Sequence, residues 1–270
     1  MKKYLFTLVL LLSAISLYAE PLKLLHEKTF NVNPGEKLYL QTESGDINIT
    51  SWDKNEVKVK ILGNSKAERK MEFTMEKKDK EVYISGEKKG GNIFNWFSNV
   101  SIRYEIVVPI EFFLELKTSG GDISIKKVNG LKKLRTSGGD IDLIDISGEA
   151  NASTSGGDIT ADNKKGELNV STSGGDIIIK SQSGKISAST SGGDVKLEYY
   201  GENEGVDLST SGGDIEVYLQ SGFKANAELK TSGGDISIAF PTTSTDKMSS
   251  SKSPIFIMNR NTQIIDWIQF

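Results

Sequence analysis

The sequence predicts an all-β protein whose main part is a parallel β-solenoid with two strands in each coil of about 18 residues. The pentapeptide Thr-Ser-Gly-Gly-Asp occurs seven times, and successive copies start 18, 18, 18, 18, 20 and 21 residues apart. Short stretches between the copies alternate apolar and polar residues, which indicates strands. The copies begin at Thr118, Thr136, Thr154, Thr172, Thr190, Thr210 and Thr231. A repeat of this length indicates stacked supersecondary units, each too small to bury its own apolar side chains.

The chain begins with the features of a secretory signal peptide, residues 1–19. Lys2 and Lys3 precede an apolar run over residues 4–12, and Ala19 offers a small residue for cleavage. An uncleaved anchor is the alternative, but a spanning helix needs about 20 apolar residues, and this run is shorter. No later apolar run could span a membrane as a helix. We expect a protein exported to the periplasm, the cell surface or the medium.

Composition excludes several classes of function. The chain has no cysteine, so disulfides, zinc–thiolate sites, cysteine nucleophiles and lipid attachment to cysteine are excluded. Loss of the leader takes the basic residues from 33 to 31 against 36 acidic ones, a net charge of −5. Nucleic acid is not an expected partner, because no basic footprint is present. The lysine pairs are scattered and are expected on solvated faces: Lys77-Lys78, Lys88-Lys89, Lys126-Lys127, Lys132-Lys133 and Lys164-Lys165.

Residues 20–111 form a less regular β-rich region before the repeats. The candidate strands are Thr29–Val32, Lys37–Thr42, Asp46–Thr50, Val57–Leu62, Met71–Glu76, Glu81–Ser85 and Ile102–Val108. The segment Thr42–Ile47 reads Thr-Glu-Ser-Gly-Asp-Ile, a degenerate eighth copy of the motif. We therefore expect this region to start the stack of coils and to cap one of its open ends.

Residues 112–240 carry the repeats themselves. The sixth repeat position is apolar and the thirteenth is glycine, so each unit has two short strands and two glycine-containing turns: Ile123, Ile141, Ile159 and Ile177, then Gly130, Gly148, Gly166 and Gly184. Coils stacked about 4.8 Å apart would pair each strand in parallel with its counterpart, giving a tube of about 30–35 Å. The usual crossover preference favours a right-handed coil. A left-handed hexapeptide helix is the alternative, but the units lack a six-residue apolar repeat.

Residues 241–270 are predicted to form a linker and a C-terminal β cap. A polar stretch over residues 242–253 precedes two apolar strands, Ile255–Met258 and Gln263–Phe270. The last coil of a solenoid exposes unpaired backbone and apolar side chains, so a cap is required there.

Residues 29–240 resemble the bacterial putative-adhesin domain of unknown function that is built from β-strand repeats of the SGGDI type. The segments that carry the resemblance are FNVNPGEKLYLQTESGDINITSWDKNEVKVK, VSIRYEIVVPIEFFLELKTSGGDISI and the array that follows. The resemblance implies a β-solenoid fold, an extracytoplasmic location and an adhesive role. It supplies no catalytic residues.

The repeated aspartates pose the main question about function. Stacking would place like charges about 4.8 Å apart along one column, which repel: Asp122, Asp140, Asp158, Asp176, Asp194, Asp214 and Asp235. In the favoured interpretation the motif is a structural corner. Each carboxylate accepts hydrogen bonds from its own turn or from the Ser and Thr hydroxyls just before it, and Gly-Gly supplies backbone angles that a side chain would forbid.

Two alternatives give the aspartates a chemical role. A calcium-stabilised secreted β-roll would need glycine/aspartate ligands in both halves of each coil, whereas here the second half carries none. A polysaccharide-acting β-helix enzyme could use neighbouring carboxylates, but catalysis needs two unlike carboxyl environments in an irregular cleft. The single histidine, His26, has no nucleophile motif around it, and no phosphate-binding loop is present. We therefore predict neither an enzyme nor a cofactor.

A binding role remains, and aromatic residues are its best candidates. Phe94, Trp96 and Phe97 lie in a glycine- and asparagine-rich segment, where they could contact a partner or cover the open end of the first coil. Tyr199 and Tyr200 lie in the 20-residue unit, where they could bulge outward or fill a wider corner. The sequence thus predicts an exported, non-enzymatic scaffold of the envelope or surface that binds another macromolecule, protein or glycan.

Overall fold

A computed structural model of the chain describes residues 20–90, 100–201, 204–219, 227–239, 255–259 and 263–265. Its elements in chain order are β1 (Lys23–Asn31), β2 (Lys37–Thr42), β3 (Asp46–Trp52), β4 (Glu56–Gly63), α1 (Ser65–Lys70), β5 (Met71–Lys78), β6 (Glu81–Lys88), β7 (Ile102–Pro109), β8 (Phe113–Thr118), β9 (Ile123–Lys126), β10 (Lys132–Arg135), β11 (Ile141–Ile144), β12 (Ala150–Ser153), β13 (Ile159–Lys165), β14 (Leu168–Ser171), β15 (Ile177–Ser183), β16 (Ile186–Ser189), β17 (Val195–Tyr199), β18 (Val206–Thr210), β19 (Ile215–Leu219), β20 (Ala227–Thr231), β21 (Asp235–Ala239), β22 (Ile255–Asn259) and β23 (Gln263–Ile265).

The described strands form two sheets, and each coil of the repeat region gives one strand to each. The first sheet has the order β1-β4-β7-β3-β9-β11-β13-β15-β17-β19-β21-β22, and the second has the order β23-β20-β18-β16-β14-β12-β10-β8-β2-β6-β5. Successive coils pair in parallel with an offset of one repeat, so that Leu134 lies opposite Leu116 on one side and Ala152 on the other. The predicted β-solenoid with two strands per coil is confirmed.

The core lies between the two sheets and follows the alternation of each strand. Apolar columns run along the solenoid because inward positions recur every coil; one comprises Ile123, Ile141, Ile159, Ile177, Val195, Ile215 and Ile236, all buried. The register of parallel strands is thereby set, since a shift of one residue would turn each inward set to solvent.

Most N-terminal strands lie where they were predicted, although β1 begins at Lys23 and not at the predicted Thr29. Their order in space differs from their order in the chain. The strands β2 and β3 stack directly on the first repeat, whereas β6 and β7 form the next coil outward although they follow later in the sequence. Beyond them, β1 and β4 extend the first sheet and β5 extends the second, all antiparallel to their neighbours. The segment β2–β3 is thus an inserted early coil, not the end of the stack.

A short helix, α1, follows β4 and was not predicted. Asn64 caps it, because its side-chain oxygen accepts the N–H of Ala67 at 2.9 Å. Ala67 is its buried residue, so the segment has too little apolar pattern to reveal a helix in the sequence.

The described strands near the C-terminus close the other end. The strand β22 pairs antiparallel with β21, and β23 pairs antiparallel with β20. Both lie where strands were predicted, although residues 266–270 fall outside the described part of the chain. Each pairs with the last repeat strand of its sheet, whose edge would otherwise be open.

Candidate functional site

The Thr-Ser-Gly-Gly-Asp copies form one corner of the solenoid, where the chain passes from the second sheet to the first. Each threonine is buried, and its hydroxyl donates to the carbonyl oxygen of the second glycine one coil earlier. Thr154 is representative: its Oγ1 lies 2.9 Å from the Gly139 oxygen and also accepts the N–H of Gly157. Six other threonines make the same inter-coil bond, at 2.8–3.4 Å. The threonine hydroxyl therefore ties neighbouring coils together at this corner.

The two glycines of the motif are present for different reasons. A Cβ on Gly157 would lie 2.1 Å from the Gly139 oxygen, whereas a Cβ on Gly156 would find no atom closer than 3.7 Å. Among the glycines of the Thr-Ser-Gly-Gly-Asp copies and the related Thr42 copy, all of which are described, only Gly45 and Gly121 have a positive φ. The expectation that both glycines supply unusual backbone angles is therefore wrong for most copies. The second glycine is required by the close approach of the coil beneath it.

The aspartates form the predicted column, but they are not satisfied within their own turns. Asp140 Oδ1 accepts the backbone N–H of Asp158, one coil later, at 2.8 Å. Seven such bonds of 2.7–3.3 Å run from Asp46 to Asp235. A hydrogen bond to a charged acceptor contributes about 1.5–3 kcal/mol, while two exposed charges at this spacing repel by about 1 kcal/mol in water. The bond outweighs the repulsion, so the column stabilises the stack.

The same bond limits what the column offers to calcium. Each coil supplies one aspartate, and one of its two carboxylate oxygens accepts the N–H of the next. Calcium takes six to eight oxygen ligands. Over the described residues, no three His, Asp or Glu side chains are grouped so that they could hold a metal ion.

Two lysines lie inside the other corner of the solenoid, where the chain passes from the first sheet to the second. Their burial corrects the expectation that the Lys-Lys pairs are solvated. Lys132 and Lys164 are fully buried, although Lys133 and Lys165 beside them are exposed. Lys132 occupies an inward column position between Leu114 and Ala150. In β10 the alternation of the strand places Lys132 inside and Lys133 outside. In β13 the register shifts between Ala161 and Lys164, where Asn163 has a φ of 55°, and this irregularity places Lys164 inside.

The buried lysines satisfy carbonyl groups that point into the solenoid. Lys132 Nζ donates to the oxygens of Gly130 and Ser147, each at 2.8 Å. Lys164 Nζ lies 2.6–2.9 Å from the oxygens of Gly148, Lys165 and Gly166. Two acceptors suit a neutral amine, whereas three require the ammonium.

Burial sets the charge state of both lysines. It lowers the pKa of Lys132 to about 7, with help from the nearby charge of Lys164 and against the attraction of Glu111. It lowers the pKa of Lys164 to about 8, against the attraction of Glu167. These groups are enclosed by the coils, so they are positioned to hold the corner and not to meet a ligand.

The aromatic candidates have different fates. Phe94, Trp96 and Phe97 lie outside the described residues. Tyr199 is fully buried, and its hydroxyl donates to the Gly184 oxygen at 3.0 Å. It therefore fills the wider corner, the second of its two predicted placements, and cannot present its ring to a partner. Tyr200 is 55% exposed and donates to Glu198 Oε2 at 2.5 Å.

A shallow groove of about 440 Å³ lies on the outer face of the second sheet, across β8, β10, β12 and β14; we call it the polar groove. Its charged side is formed by Glu115, Lys117, Lys133 and Arg135, and its floor by Asn151, Ser153, Asn169 and Ser171. The floor is low because asparagine and serine are shorter than the flanking lysine, arginine and glutamate. The sequence analysis selected aromatic residues as binding candidates and did not predict this groove.

Charge pairing within the polar groove is incomplete. Lys117 Nζ lies 2.9 Å from Glu115 Oε1 and, as the main cause, holds the pKa of Glu115 below its usual value. Arg135 Nε contacts the Ser153 hydroxyl at 3.4 Å. Lys133 and Arg135 are exposed, and no carboxylate of the described residues forms a salt bridge with either. The groove therefore carries two cations, Lys133 and Arg135, that can bind an anion.

Comparisons with known proteins identify the architecture. The family model described as Toastrack DUF4097 matches residues 35–263. A crystal structure of a putative adhesin from Bacteroides fragilis has 17% identity and a TM-score of 0.51, covering 81% of this chain and 97% of that chain. A putative lipid binding protein from Parabacteroides distasonis has 14% identity and a TM-score of 0.45, covering 80% and 96%. No curated protein matches significantly.

The family match extends over most of the chain, from the first repeat-like coil to the C-terminal strands. The chain belongs to the toastrack family, a domain family of unknown function. At 17% identity the Bacteroides fragilis structure shows a shared fold alone.

Proposed function

We propose that this toastrack chain is an exported, non-enzymatic binding protein of the bacterial envelope or surface, of the adhesin type. Its partner would dock on the outer face of the second sheet, at the polar groove. The observation that carries the proposal is the exposed pair Lys133 and Arg135 beside a low floor of amide and hydroxyl groups. The Bacteroides fragilis structure, described as a putative adhesin, supports a binding role for this fold.

The architecture suits binding because it is rigid and extended. At the Thr-Ser-Gly-Gly-Asp corner, the threonine and aspartate hydrogen bonds add two side-chain contacts between neighbouring coils to the parallel backbone pairing. Solenoids use such long repetitive surfaces for partners. A preformed face loses little conformational freedom when it binds.

The absence of catalysis is part of the proposal. Acid–base chemistry on a glycosidic bond needs one protonated and one ionised carboxyl group, which different environments create. The aspartates of the column share one environment, since each exposed side chain accepts the N–H of the next. A melt with calcium and then chelator tests the alternative of a calcium-stabilised β-roll, and we expect the same midpoint in both.

Export rests on residues 1–19, which lie outside the described part of the chain. No helix among the described residues is long and apolar enough to cross a membrane. Expression of the whole chain in a bacterial host, followed by mass measurement of the mature protein, tests export. We expect a chain that begins at Glu20 in the extracytoplasmic fraction; an intact Met1 in the cytoplasm would contradict it.

Binding is tested with labelled residues 20–270 on whole bacterial cells and on isolated envelopes. Replacing both groove cations, Lys133→Ser with Arg135→Ser, should reduce binding. The control removes two exposed cations from the outer face of the first sheet, Lys126→Ser with Lys180→Ser, and should bind like the unchanged protein. No saturable binding to any envelope, or equal binding by all three proteins, would refute this site.

A further inference from the structure

The polar groove has two chemically different parts along the solenoid axis. At β10, Lys133 and Arg135 stand two residues apart on one strand and project to the same outer face. On the next two coils, Asn151 lies opposite Asn169 and Ser153 lies opposite Ser171. A cationic position is thus followed by two equal rows of amide and hydroxyl groups.

The cationic position favours an oxyanion. Arg135 offers a planar fork of N–H donors, which matches carboxylate, sulfate or phosphate oxygens, and Lys133 adds a second charge. Lys117 is less available, because it already pairs with Glu115. Lys133 and Arg135 lie between the Glu115–Lys117 pair and the neutral rows.

The neutral rows favour a polyhydroxylated chain with a regular repeat. Asparagine donates and accepts hydrogen bonds, and serine does both with one hydroxyl. Parallel pairing spaces the rows about 4.8 Å apart along the axis, which is close to the length of one sugar ring in an extended chain. Ser187 and Ser189 on β16 form a third row, which carries hydroxyl groups only. Successive coils can therefore face successive sugar residues.

We propose that the polar groove binds an acidic polysaccharide that lies along the solenoid axis. One of its anionic groups contacts Lys133 and Arg135, and the hydroxyl groups of the following sugars contact the asparagine and serine rows. This inference rests on the proposed binding function and names its ligand class. The net charge of −5 expected after loss of residues 1–19 does not prevent it, because charges more than about 8 Å away are screened at physiological ionic strength. Glu115, the carboxylate opposite Lys133, is paired with Lys117.

Two aromatic rings among the described residues lie on the face that carries the groove, and they contact each other. Tyr39 and Tyr83 are exposed in part on the same face, but their rings stack on each other with centroids 5.6 Å apart and an interplanar angle of 5°. Lys117 Nζ lies 5.0 Å from the Tyr39 ring centroid. The Tyr39 ring therefore already contacts Tyr83 and Lys117, and we expect recognition to come from the polar groups of the groove.

A second copy of the chain is the competing occupant. The N-terminal end of the same face carries a region of about 610 Å³ that includes Glu72, Glu76 and Glu87. Two copies placed antiparallel could bring this acidic region against Lys133 and Arg135. The neutral rows would then have no role, and their repetition favours the polysaccharide.

The experiment is titration calorimetry of residues 20–270 with defined oligosaccharides in low and physiological salt. The probes are an oligomer of galacturonic acid, a sulfated galactan oligomer and a neutral dextran oligomer of equal length. We expect both acidic oligomers to bind and the neutral one to bind at least about tenfold more weakly, since it lacks the charge-assisted bonds. A preference between the first two identifies carboxylate or sulfate as the anion.

Variants separate the two parts of the groove. Lys133→Ser with Arg135→Ser should weaken acidic oligomers at least about tenfold. Asn169→Trp should fill the floor and weaken them while both cations remain. The control pair Lys126→Ser with Lys180→Ser should bind within about twofold of the unchanged protein. A circular-dichroism melt of each variant confirms that the fold is retained.

Three results would overturn the inference. The first is no heat of binding with any acidic oligomer; if labelled protein still binds envelopes through Lys133 and Arg135, the proposed function stands and only the ligand class fails. The second is equal loss in the control pair, or equal competition by single-stranded DNA, which would mean nonspecific attraction of polyanions. The third is a concentration-dependent dimer in sedimentation that the groove substitutions abolish, without oligosaccharide binding.

Discussion

Substituting alanine at each of two adjacent glycines of one corner is the sharpest test of why the motif recurs. Gly157→Ala places a methyl carbon 2.1 Å from the Gly139 oxygen and 2.5 Å from Asp140 Oδ1. Gly156→Ala places it no closer than 3.7 Å to any atom, at a backbone position without a positive φ. The unfolded chain changes in the same way in both variants, so the difference between them reports on the folded state.

The expected cost follows from these contacts. Ordinary contacts lie at about 3.5–4.0 Å, so the methyl carbon of Gly157→Ala must move away from the rigid backbone of the coil beneath by more than 1 Å. This overpacking costs about 1–3 kcal/mol. Separating the coils also strains the Thr154 and Asp158 bonds to the previous coil, at about 1 kcal/mol each. We expect Gly157→Ala to lower the free energy of unfolding by about 3–5 kcal/mol.

Gly156→Ala should instead be neutral or stabilising by about 0.5 kcal/mol, because alanine restricts the unfolded chain. Urea denaturation of residues 20–270, followed by circular dichroism, measures both variants, and hydrogen exchange of residues 154–158 locates the change. Equal stability of the two variants would refute the reasoning. So would a larger loss at Gly156, since clearance from the neighbouring coil would then not explain the second glycine.

Three further predictions concern other positions. Asp158→Asn keeps the side-chain oxygen that accepts the Asp176 N–H and removes a like charge, so it should melt near the unchanged protein. Asp158→Ala loses that acceptor and should lower the melting midpoint. Identical midpoints for the two variants would contradict the column's stabilising role. The pKa of Lys132 is about 7 in the folded protein and 10.5 ordinarily. Between pH 7 and pH 10.5 the unfolded state therefore binds more protons, so the free energy of unfolding should rise with pH. Lys132→Met should remove part of that rise and exposed Lys133→Met should not; equal pH profiles in urea denaturation would show that Lys132 is not buried. Lys127 has a φ of 59°, a left-handed angle that a long side chain adopts with strain, so Lys127→Asn should raise the unfolding midpoint slightly, and a clear loss would contradict this.

Much of the fold was predictable because the repeat carries its own register. The spacing of 18 residues, the alternation of apolar residues and the glycine turns together require stacked coils, and the predicted strand Lys37–Thr42 has the observed bounds. The degenerate copy at Thr42 was also recognisable, and Asp46 begins the aspartate column in the structure. Local pattern is sufficient here because each coil contacts mainly its two neighbours.

The groove was less predictable, although its signal is present. Lys133 and Arg135, then Asn151 and Ser153, then Asn169 and Ser171 recur at the repeat spacing. Their role depends on the second strand of each coil presenting these side chains on one common outer face, and only the stacking of the coils shows this. The aromatic residues Tyr199 and Tyr200 looked alike in sequence, yet one fills the corner and the other is exposed.

The sequence by itself determined the coil length, the two strands per coil, the positions of the corners and the apolar columns, because these follow from side chains that recur with a fixed period. The tertiary structure alone decided which atoms neighbouring coils share. It placed β6 and β7 outside β2 and β3, sent the aspartate bond to the next coil, and buried Lys132 and Lys164 against inward carbonyls. The bonds that join neighbouring coils link residues 15 or more positions apart, and their partners are set by stacking distance and by the direction of each carbonyl group. Local preference carries no information about either quantity.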